Sequence, residues 1–166
     1  MPFCSFLFMG ELIESFERRF AALDHRSRAL IRMTPQDRLY WKPRELPRSM
    51  TMFSCGEYVL RSAGMVEKTF GGITTRLWDD PFEWTLPEEL ATKEAVLGYL
   101  SEVEVTRVRG FSFFKSDDNL LRKIPAPANL RSIFDILLET IAQAEHYQGR
   151  ALAIFQMFSD EKLPRL

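Results

Sequence analysis

Gln143 and Tyr147 are four residues apart in a stretch without proline, so on a helix they sit one turn apart and point into the same space. A carboxamide and a phenol placed this way suit hydrogen bonding to a small organic ligand. Ser62, in an otherwise apolar register of an earlier helical stretch, is the third candidate for the same pocket. Its alternative is structural, because a helical serine can bond the carbonyl one turn back. Glu67 and His146 lie nearby in sequence.

Other chemistry is poorly represented. The two histidines, His25 and His146, never pair at the one-turn spacing that would hold a metal on one helix face. His25 falls among charges off the apolar stripe and is expected to be exposed. Glu139 and Glu145 are six apart and point to different sides, so no carboxylate pair forms. Neither a G-x-S-x-G elbow nor a glycine-rich phosphate loop occurs. Cys4 and Cys55 stand far apart, which indicates neither a disulfide framework nor a thiolate zinc site and fits a reducing cytoplasm.

The longest element expected to position these residues is a helix from Asn129 to Phe158, with a stripe at Ile133, Leu137, Ile141, Ala144, Ala151 and Phe155. Thr140, Gln143, Tyr147 and Ile154 form its half-polar flank. A first helix spans Gly10 to Met33, with Glu11 and Glu14 in its first turn and Arg28 and Arg32 in its last. Thr34-Pro35 opens a short helical turn to Leu39, and Trp41 to Arg48 reads as a loop. Ser49 or Thr51 caps a second helix reaching Phe70, where Gly71-Gly72 stops it; its inward stripe is Cys55, Val59, Ser62, Val66 and Phe70.

Residues Ile73 to Leu90, with Trp78 and Trp84, make the longest connection, either a lid or a seal over one end of the core. Thr92 begins a third helix through Leu97, Leu100, Val103 and Val108 to Phe114. Ser116-Asp117-Asp118 caps a short turn, and Pro125 and Pro127 break the chain before the last helix. GGITTRLW is the one strand candidate. The sum is an all-α protein, a four-helix bundle with a long connection between helices two and three, in a single domain covering residues 1–166.

With 166 residues, 46% apolar, and 22 basic against 23 acidic side chains, the chain has no global field for nucleic acid or an anionic membrane. The charges are segregated. Arg26, Arg28, Arg32, Arg38, Lys42, Arg44 and Arg48 form a basic segment, and Asp79, Asp80, Glu83, Glu88, Glu89, Glu94, Glu102 and Glu104 an acidic one. Solvated faces that attract each other weakly, or an anion-binding rim, both fit. The start lacks the basic n-region of a signal peptide, and no later run is apolar enough to span a bilayer, so a soluble, cytoplasmic protein is expected. The apolar extension of residues 1–9, with Phe3, Phe6, Leu7 and Phe8, suggests packing on the bundle or in a homodimer.

In order, the first helix, the Trp41-Pro43 to Arg48-Ser49 run, SCGEYVLRSAGMVEKTF and LLETIAQAEHYQGRAL resemble the DinB family of bacterial helical bundles. The family carries a helix-two histidine five residues before a glutamate and a helix-four H-x-x-x-H before a glycine step. Anchored on Glu67 and Gly149, the resemblance places Ser62, Gln143 and Tyr147 at its three metal-binding histidines; a slip of one offers Arg61 and His146. It therefore implies the fold, a homodimer and a metal-free central pocket for a small organic ligand. The other implied activity is a transferase or isomerase using a low-molecular-weight thiol, with zinc or nickel held by substitutes such as Glu67, His146 and Gln143.

Overall fold

The computed structural model describes residues 10–43, 52–81 and 87–162. The chain is predominantly helical. Four long helices, α1 (Glu11–Met33), α2 (Cys55–Thr75), α3 (Lys93–Phe111) and α5 (Ile133–Phe155), share one core. A short helix α4 (Asp118–Leu121) and a small hairpin of β1 (Lys123–Pro125) and β2 (Leu130–Ser132) join α3 to α5. Both α1 and α2 pack on α3 and α5. The contacts Tyr58 to Tyr147, Ser62 to Ala144 and Thr69 to Thr140 show that α2 and α5 run antiparallel, since positions rise on one helix as they fall on the other. No described helix is long and apolar enough to cross a membrane.

Helix α1 matches its expected span, yet it is capped from elsewhere. Gly10 supplies no side-chain cap, and the Asp117 carboxylate accepts from the Leu12 and Ile13 amides at 3.2 and 3.1 Å. An added Cβ at Gly10 would overlap that carboxylate, so the glycine lets a distant acid take the cap position.

Helix α2 starts later and ends later than expected. Its N-cap is Ser54, in a capping box with Glu57: the Glu57 amide donates to Ser54 Oγ at 3.2 Å, and the Ser54 amide donates to Glu57 Oε2 at 2.8 Å. Ser49 and Thr51 lie outside the described residues. The helix passes through Gly71-Gly72 and closes at Arg76, which adopts the left-handed conformation with φ 65°. Gly72 serves packing: the Trp78 ring occupies the space its Cβ would take. The GGITTRLW segment is thus helix end and cap, and the strands lie in the hairpin instead.

Helix α5 starts at Ile133, four residues after Asn129, because Leu130–Ser132 pairs with β1 in the register Lys123↔Ser132, Ile124↔Arg131 and Pro125↔Leu130. Ser132 then caps the helix by accepting from the Asp135 amide at 3.1 Å. In α3, Arg107 occupies the buried register while Val108 is exposed, so the inward stripe is Val96, Leu100, Val103, Arg107 and Phe111. The expected stripe of α2, from Cys55 to Phe70, is buried as read. Across the charged segments Arg28 bridges Glu104 at 3.0 Å, and within α1 it bridges Asp24 at 2.7 Å. Trp84, Arg44, Arg48, Glu83 and the tip at residues 1–9 lie outside the described residues.

Glu57 gives the fold a pH dependence. Burial alone would raise its pKa, but the Ser54 amide, Lys42 at 2.9 Å and the Ser54 hydroxyl together hold it below the ordinary carboxylate value. A folded pKa below the unfolded one adds stability that is complete above the ordinary carboxylate value and is lost as pH falls through the folded one. Glu57→Gln should lower stability at neutral pH by about 1 kcal/mol. Its acid limb should also be flatter, and identical limbs in paired urea titrations from pH 7 to pH 3 would count against this role.

Candidate functional site

Tyr147 is half-buried on α5, its ring 6.4 Å from that of Tyr58 on α2 and 6.0 Å from the exposed His146. With Ala142 and Gln143 these two residues line a surface depression of about 230 Å³. Gln143 is half-buried and donates to Glu139 Oε1 at 3.0 Å. The expected pair therefore shares a face, but the space it borders is this surface depression and not a central pocket. Tyr147 also lines a second depression, of about 60 Å³, with Arg61, Gly64, Met65, Lys68 and Asp80.

Ser62 is placed differently. It is buried, and its hydroxyl donates to the Ala144 carbonyl of α5 at 2.9 Å, across the helix interface and not to its own helix. It lines a cleft of about 20 Å³ with Ser27 of α1 and Arg107 of α3, not the depressions at Tyr147. Its α2 neighbour Arg61 reaches the Tyr147 edge instead, together with Gly64, Met65 and Lys68.

Glu67 is half-buried and turned toward α3, where it accepts from the Tyr99 hydroxyl at 2.6 Å. Burial, and then the Glu67 carboxylate, push the Tyr99 pKa well above its ordinary value. That phenol donates and stays neutral. Cys55 is buried beside the Thr34 hydroxyl at 3.6 Å, and burial pushes its thiol up to about 11, so it is no nucleophile at neutral pH. His25 is exposed.

The donors suggested for a metal do not converge. Glu67 is engaged on the α3 side, His146 is exposed and Gln143 is bonded to Glu139. Among the described residues no three of histidine, cysteine, aspartate and glutamate come together as a ligand set. Zinc or nickel chemistry therefore has no fitting cage among them.

Three polar groups of the interior stand outside the sequence-derived set. Gln148 is buried and donates to the Leu23 carbonyl and, at 2.8 Å, to Ser27 Oγ, tying α5 to α1. Thr69 and Thr140 bond across α2 and α5 at 2.7 Å. Arg107 is buried, and its Nε has no hydrogen-bond partner among the described residues. No family model matches the chain, and neither a curated protein nor a solved structure shows significant similarity to it.

Proposed function

We propose that the chain is a DinB-like four-helix bundle that binds a small organic ligand in the groove that Tyr147 lines, without a metal. One observation carries this reading: a half-buried aromatic ring lines two depressions, with Gln143 and His146 in one and Arg61 and Lys68 in the other. Rigid helices supply all of these residues except Asp80, so the lining is pre-formed and costs little ordering on binding. The four long helices and the long connection between α2 and α3 support the family reading.

A small-fragment screen monitored by the protein's amide resonances tests the site. Shifts should gather at residues 61–68 and 142–147, and Tyr147→Ala should abolish them while leaving the fold intact. Fragments that bind but perturb other surfaces would refute the assignment. The homodimer is part of the same proposal, supported by the exposed Val105, Val108 and Phe113. Light scattering should give twice the protomer mass; a species of 19.4 kDa at micromolar concentration would exclude it.

A further inference from the structure

The groove has a sign. Arg61 lies with its guanidinium carbon 3.9 Å from the centre of the Phe53 ring, a stacked pose that leaves its edge N–H groups available. Neither Arg61 nor Lys68 forms an ion pair with a described residue. Arg150, one turn beyond Tyr147, lies over the Tyr58 ring and is 3.4 Å from its hydroxyl, adding a third positive charge to this edge. Nearby carboxylates are engaged elsewhere: Glu57 with Lys42 and Ser54, Glu139 with Arg131 and Gln143. Among the described residues, Asp80 alone lines the groove with opposite sign.

Resting on the binding reading above, we propose that the groove takes a planar organic anion, a small aromatic carboxylic acid. The ring lies against Tyr147 in the larger depression, beside the Gln143 amide. The carboxylate enters the smaller one, where the Arg61 fork and the Lys68 ammonium hold it. Charge-assisted bonds of this kind are the stronger class, and the guanidinium geometry matches two carboxylate oxygens. The smaller depression, about 60 Å³, has room for a carboxylate.

Titration of labelled protein with 1-naphthoate and its neutral isostere 1-naphthamide separates the charge from the groove. Naphthoate should bind about tenfold more tightly than the amide, through hydrogen bonds to charged groups. Its affinity should fall as salt rises. Arg61→Gln with Lys68→Gln should abolish this preference, an unfolding midpoint close to that of the unaltered protein showing that the variant is folded; Arg61→Lys with native Lys68 should keep part of it. Equal affinities for acid and amide would overturn the anion assignment and leave the groove standing. Absence of shifts at residues 61–68 and 142–147 with either compound would overturn both.

Discussion

Gly110→Ala is expected to destabilise the protein by about 1–2 kcal/mol although alanine is the better helix former. A Cβ on Gly110 would come within 2.3 Å of Cδ1 at the edge of the Phe70 ring, and that ring cannot retreat. It is fully buried, held 5.3 Å from Phe20 and 5.1 Å from Phe111 between ring centres. Gly98, on the same helix with nothing near its missing Cβ, is the control: Gly98→Ala should stabilise by about 0.5–1 kcal/mol. Phe70→Ala should cost about 3–5 kcal/mol, because three helices lose a shared aromatic contact and collapse is hindered by the flanking rings. Combined with Gly110→Ala it should cost less than the sum of the two, since the new methyl then enters space the ring has vacated. Urea unfolding of the four variants measures this directly, and strict additivity would show that Gly110 is not there for Phe70.

The same position shows how much of the fold was legible. Hydrophobic periodicity located all four long helices because each buries a continuous stripe, and the α1 span from Glu11 to Met33 is bounded by its own charges. Boundaries failed where a tertiary contact outranked a local signal. Gly71-Gly72 reads as a stop, yet Trp78 packs on Gly72 and the helix runs on to Thr75. The S-x-x-E signature at Ser54 and the S-x-x-D at Ser132 mark the observed starts of α2 and α5, against the expected starts at Ser49 or Thr51 and at Asn129.

The interior polar residues were legible in a subtler way. On α5 the spacing Leu137, Ile141, Ala144, Ala151, Phe155 leaves a gap that position 148 fills, and Gln148 is the buried glutamine. On α3 the spacing Val96, Leu100, Val103 leads to position 107 in the same way. A polar residue in the middle of an apolar stripe is a signal in its own right: it is either bonded across the interface, as Gln148 is, or poorly satisfied, as Arg107 is. Composition alone could not find the Tyr147 groove, because its lining is spread over α2, α5 and the segment at Asp80, and only the antiparallel pairing of α2 with α5 brings Arg61 to Tyr147.

Arg107→Met should therefore stabilise the protein, by about 1–2 kcal/mol. The arginine is 5% exposed, and among the described residues its Nε has no hydrogen-bond partner and its one ion pair, with Glu104, spans 3.8 Å, beyond hydrogen-bonding range. Burying a charge with so little compensation carries a desolvation cost that one distant carboxylate does not offset. Losing the guanidinium does not strand Glu104, which is half exposed and keeps Arg28 at 3.0 Å. Methionine follows the same path through the core and fills it with an adaptable apolar chain, whereas Arg107→Ala would trade the desolvation gain for a cavity and come out destabilised. The cleft beside Arg107, about 20 Å³ and lined in part by Ser27 and Ser62, is large enough for one water. A water there would satisfy the guanidinium and reverse the sign. Urea midpoints of the Met and Ala variants decide between the two: a gain for Met marks an unsatisfied charge, and a loss of more than about 1 kcal/mol in both marks an arginine held by an internal water.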